Sequence, residues 1–202
     1  MSTVSSAPLY LDDLIPGLTI HSDPSEKPLS AADIKSFARE FDPQPFHLDD
    51  AAAAKTLFGG LAASGWHTAA MTMRLLVDGG LPLAGGIIGV AMEEIQWPRP
   101  VRPGDRLRVV SEVLEARPSR SKPLQGIAKI RVTTLNQINE PVQIMTSNLV
   151  VQRRPDFTWS FASSVMSHVV SETHLCPGSI VIYSHCPKRW MYAVLTNCVS
   201  TQ

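Results

Sequence analysis

The sequence predicts an α+β domain in which an antiparallel sheet wraps one long central helix. Three observations carry that expectation. Residues 66–77 repeat apolar side chains at helical spacing with a single charge, Arg74. Residues 87–97, 107–116, 127–135 and 142–151 alternate Val, Ile and Leu with polar or charged neighbours, the period of strands. The segments between them, Pro98-Arg99-Pro100-Val101-Arg102-Pro103-Gly104-Asp105 and Gln137-Ile138-Asn139-Glu140, are rich in turn formers. An apolar helix beside such strands buries its surface by packing against their sheet.

In chain order, residues 18–21 read as a lead-in strand carrying His21, whose expected role is structural. Ser30-Ala31-Ala32-Asp33 has the form of a helix N-cap with an acidic third position. Ile34, Phe37, Ala38 and Phe41 then recur on one helical face, and Pro43 forces that helix to end at Asp42. Leu48-Asp49-Asp50 caps an alanine-rich segment at 51–57. A flexible run follows, Phe58-Gly59-Gly60-Leu61-Ala62-Ala63-Ser64-Gly65. The central helix starts at Ser64-Gly65 and stops at Gly79-Gly80. Trp66, Ala69, Ala70, Met73, Leu76 and Val77 give it a broad apolar surface, so it is expected to be buried on most sides.

The chemistry concentrates in Phe41-Asp42-Pro43-Gln44-Pro45-Phe46-His47. Two prolines stiffen this stretch, which reads as a non-helical loop holding a carboxylate and an imidazole at a set separation. General acid–base catalysis needs that arrangement. Asp42 lies at a helix C-terminus, where the macrodipole is expected to raise its pKa. A helix terminus followed by a solvated loop histidine is the bland alternative. Ser64 suits an N-cap, and Gly65 lets a ligand approach the free backbone N–H groups, where anions and developing oxyanions are stabilised. Trp66 and Phe46 flank these groups.

These residues resemble the MaoC-like dehydratases, the (R)-specific enoyl-CoA hydratases of the hotdog fold, whose signature approximates Gly-Asp-x-Asn-Pro-x-His followed by a glycine opening the central helix. The likeness spans about residues 10–154 and includes the Arg99-to-Asp105 connection. It implies a catalytic dyad of Asp42 and His47, an oxyanion donor in the Gly65 N–H, and substrate contacts from Ser64, Trp66 and Phe46. The implied reaction is reversible hydration of trans-2-enoyl thioesters, of CoA or acyl carrier protein, needing neither metal nor redox cofactor. Two departures stand out: Phe41 replaces the family's glycine, and Gln44 its asparagine. A serine that some members carry deeper in the helix has no counterpart here, where Thr72 and Met73 lie. The alternatives are a hotdog acyl thioesterase and a non-catalytic acyl-binding subunit.

Composition agrees with one such domain. A chain of 202 residues with 44% hydrophobic content can bury one good core. Zero formal net charge without a basic cluster argues against nucleic acid. No apolar run reaches membrane-spanning length and no signal peptide is evident, so the cytoplasm is expected. The sheet edge and the helix's apolar surface point to a homodimer. Residues 1–155 are assigned to the hotdog domain. Residues 156–202 form a C-terminal extension without match to the family, expected to lack regular period, to be poorly ordered and to be dispensable for chemistry. It carries Cys176, Cys186 and Cys198, and a zinc reading through His174, Cys176, His185 and Cys186 is disfavoured because Cys-x-x-Cys spacing is absent. His67 is expected to be a packed helix histidine. Arg99, Arg102 and Arg106 have the chemistry for CoA phosphates, with surface solvation the expected role of each singly.

Overall fold

The computed structural model describes residues 7–155 together with the backbone of residues 180–184 and 191–195. The chain divides into two units, Met1–Pro155 and Asp156–Gln202.

In the first unit a short 3-10 turn (Leu11–Asp13) leads to β1 (Thr19–His21). Four helices follow: α1 (Ala31–Phe41), α2 (Pro45–Leu48), α3 (Asp50–Ala54) and α4 (Gly65–Leu75). A π-helical turn, Leu76–Gly80, extends α4 before the strands β2 (Ile88–Gln96), β3 (Arg108–Pro118), β4 (Gln125–Leu135) and β5 (Pro141–Gln152). The sheet order is β1-β3-β4-β5-β2 and every pairing is antiparallel. The register places Val113 opposite Ile130 and Ile130 opposite Ser147. This sheet-and-helix arrangement is a hotdog fold.

The strands turn alternate residues toward α4, because side chains alternate across a pleated strand. Val109 and Val113 of β3, Ala128, Ile130 and Val132 of β4, and Met145, Leu149 and Val151 of β5 form one floor of the core. Ile34 of α1 and Leu75 and Leu76 of the central helical segment close it from above. Ile34 is fully buried, so trimming it to alanine would cost about 2–5 kcal/mol. Gly80 lets the end of that segment rest on the sheet. A Cβ there would stand 2.5 Å from Val109 Cγ2, and Ser111 Oγ donates to the Gly80 carbonyl at 2.8 Å.

α1 begins as expected. Ser30 Oγ accepts from the Asp33 N–H at 3.1 Å, and Asp33 Oδ2 accepts in return from the Ser30 N–H at 3.2 Å. The central helix departs from expectation. Its buried residues are His67, Thr68, Thr72 and Leu75, whereas Trp66, Met73 and Val77 are exposed. The sheet covers one side of this helix, and Trp66, Met73 and Val77 on its other side are exposed among the described residues. Among the described residues β2 is an edge strand of the sheet, paired with β5, and Ile88, Val90 and Met92 along it are exposed.

In the second unit, β6 (Ile180–Ser184) pairs antiparallel with β7 (Met191–Leu195). The absence of strand period expected for residues 156–202 is thus corrected at these two runs. Ile-Val-Ile-Tyr and Tyr-Ala-Val-Leu are rich in β-branched and aromatic residues, which favour strands without strict alternation. The cysteines and the zinc reading lie outside the described residues. Among the described residues no helix is long and apolar enough to cross a membrane.

Candidate active site

α1 ends where Pro43 requires it to, with Asp42 as its C-cap and the Asp42 N–H on the Ala38 carbonyl at 2.9 Å. The segment that follows is helical where a loop was expected. Gln44 is the N-cap of α2 and Pro45 its first residue. Proline fits that position because its φ suits a helix and its missing N–H would have no intrahelical partner there. One helical turn then carries His47 inward to 4% exposure. Phe46 packs edge-on against the imidazole, with ring centroids 4.5 Å apart, and meets Phe58 at 5.1 Å.

Asp42 and His47 meet. His47 Nε2 lies 3.5 Å from Asp42 Oδ2. On the other side of the ring, Nδ1 is 2.7 Å from the Ala62 carbonyl. A carbonyl only accepts, so Nδ1 is the donor, and Nε2 is the nitrogen turned toward Asp42. The Asp42 carboxylate is held at both oxygens. Gln44 Nε2 donates to Oδ1 at 2.7 Å and Ser64 Oγ donates to Oδ2 at 2.6 Å. Gln44, a departure from the family pattern, therefore has a defined task here.

The expected upward shift of Asp42 is reversed. Burial does push its pKa up, but the hydrogen bonds from Ser64 and Gln44 and the charge of His47 outweigh it, leaving the carboxyl below its ordinary 3.8. Charge-assisted donors at bonding distance prevail over a macrodipole that acts diffusely through the last turn.

Ser64 joins this pair to the central helix. It is 1% exposed, donates to Asp42, and accepts the Trp66 N–H at 3.2 Å as N-cap of α4. The Gly65 N–H meets no acceptor among the described residues and sits at the positive end of α4. Trp97 explains why residue 65 is glycine: a Cβ would stand 2.8 Å from its indole ring. Trp66 meets the same indole edge-on at 5.6 Å. Asp42, His47, Ser64, Gly65, Phe46 and Trp66 all line one open cavity of about 520 Å³. The arrangement combines an imidazole, a carboxylate beside it and a helix N-terminus whose first N–H has no acceptor among the described residues.

Two contributors are invisible in the sequence motif. Ala62 acts through its carbonyl and Trp97 through a contact across the fold, and neither carries a residue-type signal. Trp97 Nε1 donates to Gln143 Oε1 at 2.9 Å, and Gln143 Nε2 donates to Thr72 Oγ1 at 3.2 Å. Thr72 and Thr134 share a further hydrogen bond of 2.7 Å. Thr72 thus serves the core. Arg99 borders the cavity and pairs with Glu140 at 3.4 Å. Arg106 Nη1 donates to the Glu26 carbonyl at 3.3 Å. Arg102 is committed to backbone carbonyls instead of solvent, donating to those of Phe58, Gly60 and Leu61. His67 is packed as expected, its ring stacked on Phe37 at 4.5 Å. His21 is exposed on β1. No group of His, Cys, Asp and Glu among the described residues is arranged to hold a metal ion.

Comparison with known proteins places this geometry. A crystal structure of a MaoC-like dehydratase from Rhodospirillum rubrum is 56% identical, with a TM-score of 0.70 over 73% of this chain and 99% of that one. The unliganded R-hydratase PhaJ1 from Pseudomonas aeruginosa is 26% identical, with a TM-score of 0.55 over 73% of this chain and 88% of its own. Among curated proteins, the uncharacterized protein YdeM of Bacillus subtilis is 38% identical over 109 residues, 54% of this chain and 76% of YdeM. A 3-hydroxybutyryl-CoA dehydratase of Methylorubrum extorquens is 35% identical over 115 residues, 56% of this chain and 69% of that protein. The MaoC-like domain family matches residues 20–136, which contain the dyad, the Ser64–Gly65 helix start and four of the five sheet strands in whole or part. The chain belongs to the MaoC-like domain family.

Proposed function

We propose that this protein is a hydro-lyase that reversibly hydrates trans-2-enoyl thioesters and dehydrates 3-hydroxyacyl thioesters. The carrying observation is the meeting of His47 Nε2 and Asp42 Oδ2, 3.5 Å apart, in the cavity that the Gly65 helix terminus also lines. The similarity to a 3-hydroxybutyryl-CoA dehydratase and to an R-hydratase supports the reaction class.

Asp42 and His47 hold one water between them. His47 Nε2 takes a proton as the water oxygen bonds to C3, the π pair of the C2=C3 double bond shifts toward the thioester oxygen as an enolate, and that pair returns to C2 as it takes the proton from the His47 imidazolium. The Gly65 N–H faces the thioester oxygen, where negative charge develops. The depressed pKa of Asp42 keeps it ionised, so it steadies the imidazolium and accepts from the water. The acyl group is carried by CoA or by an acyl carrier protein. The active form is a homodimer closed over the β2 edge, whose exposed Val90 and Met92 need cover.

Crotonyl-CoA absorbance followed beside free-thiol release tests this reading. Loss of the enoyl absorbance without thiol release is expected, and Asp42→Asn and His47→Ala should each lower kcat about 10²–10⁴-fold without loss of fold. Thiol release in step with the absorbance change would make the protein a thioesterase. A silent wild type would make it a binding subunit.

A further inference from the structure

The segment between α3 and α4 has no regular structure to fix it, yet the Ala62 carbonyl in it must meet His47 Nδ1 at 2.7 Å. Its shape is supplied from the opposite strand connection. Arg102 Nη1 donates to the Gly60 carbonyl at 2.7 Å and the Leu61 carbonyl at 3.0 Å, while Nη2 donates to the Phe58 carbonyl. On the far side of Ala62, the Ala63 N–H donates to the Val101 carbonyl at 2.9 Å. Residues 101 and 102 therefore hold the chain immediately before and immediately after the carbonyl that orients the imidazole.

Arg102 is itself anchored. Its N–H donates to Asp105 Oδ2 at 2.7 Å, and Asp105 is 7% exposed with its other oxygen on Gln137 Nε2 at 3.0 Å. Gln137 belongs to the hairpin turn between β4 and β5, so the clamp is tied to the sheet. The guanidinium has no carboxylate within salt-bridge reach among the described residues, and all its side-chain bonds go to this loop. A planar fork serves these three carbonyls from two nitrogens, whereas a lysine ammonium would have to reach all of them from one.

We infer that Arg102 is a positioning residue for His47: it fixes residues 58–61, aims the Ala62 carbonyl at Nδ1, and so presents Nε2 to the cavity. This rests on the reading of His47 as the base. Arg102 touches no reacting atom, and its effect passes through the backbone.

The test compares Arg102→Ala and Arg102→Lys with wild type in the full chain. Long-range ¹H–¹⁵N spectra report the His47 tautomer without substrate. Wild type should show protonated Nδ1, and Arg102→Ala a mixture of both tautomers. With crotonyl-CoA, kcat should fall about 100-fold in Arg102→Ala, the cost of misplacing a catalytic group by about 1 Å, while KM stays within about twofold. Added guanidinium ion should restore part of that loss, and Arg102→Lys should lie between the two. Wild-type tautomer and kcat in folded Arg102→Ala would overturn the inference. If that variant fails to fold, wild-type tautomer and kcat in Arg102→Lys would overturn it. A wild type inert toward enoyl thioesters counts against the proposed function alone, since the tautomer comparison still decides the role of Arg102.

Discussion

Ser64→Ala removes one oxygen that does two jobs. That oxygen donates to Asp42 Oδ2 at 2.6 Å and caps α4 through the Trp66 N–H at 3.2 Å. Loss of an N-cap costs about 1 kcal/mol. Loss of a hydrogen bond to a charged group costs about 1.5–3 kcal/mol when the partner stays buried. Asp42 keeps Gln44 and some access to water, its side chain being 17% exposed, so the lower end applies and the sum is about 2–3 kcal/mol. At about 2–4 °C per kcal/mol, Tm should drop roughly 5–10 °C. The variant should also move Asp42 upward, because burial then opposes one donor fewer. A depressed carboxyl contributes its stability above the ordinary value near 3.8 and loses it as pH falls through the folded value. The loss of stability on acidification through the carboxylate range should accordingly be shallower in the variant, and urea unfolding near neutrality should show the deficit. Measuring Ser64→Ala in wild-type and Asp42→Asn backgrounds isolates the pair. An unchanged acid dependence of stability, with a stability loss equal in both backgrounds, would reduce Ser64 to a cap and refute the link to Asp42.

Other consequences are equally direct. Gly65→Ala places a Cβ 2.8 Å from the Trp97 ring and should cost about 1–3 kcal/mol, less of it in a Trp97→Leu background, which itself loses the bond to buried Gln143; equal costs in both backgrounds would deny that contact its role. Burial holds His67 below its ordinary 6.5 against the pull of Asp33, so the unfolded chain takes up a proton that the folded chain resists. Stability should therefore be full above about pH 6.5 and decline as pH falls toward the folded value, and calorimetry of His67→Leu should show a shallower decline. Equal slopes in both proteins would exclude His67 as the source. Met92→Lys on the exposed β2 edge should yield monomers with lowered activity, and light scattering that finds wild-type mass would redirect the search to another face.

What could be read from the residues alone follows the range of the interactions involved. The Ser30–Asp33 cap, the arrest of α1 at Asp42, the cap at Ser64 and the positions of the strand segments depend on neighbours within a few positions, and the sequence displays them, whereas the pairing of β1 with β3 and of β2 with β5 joins residues far apart in the chain. Pro45 was legible as a constraint, but its role as a helix opener depended on Gln44 taking the cap conformation. The face of the central helix was misjudged because apolar residues at 66, 73 and 77 look alike whether a sheet or a second copy of the chain covers them. The Asp42 shift was misjudged because its two donors come from Gln44 and from Ser64, the second lying 22 positions away. Ala62 and Trp97 act through a carbonyl and through shape, which no residue pattern announces.

The hydrogen-bonded series Trp97–Gln143–Thr72–Thr134 runs from the rim of the cavity into the centre of the protein, and Gln143, Thr72 and Thr134 are fully buried. It acts as a registration pin between α4, the strands β4 and β5, and Trp97 just past the end of β2. An α-helix advances about 1.5 Å per residue, so sliding α4 by one position along the sheet would pull Thr72 from both partners. Each buried polar atom left unmatched costs about 1–3 kcal/mol, whereas a slip between purely apolar faces would meet only soft packing resistance. The helix is thereby indexed to one position on the sheet. Gly65, one end of the same rigid rod, inherits that indexing, and the distance from its N–H to the dyad becomes a property of the core as much as of the cavity wall.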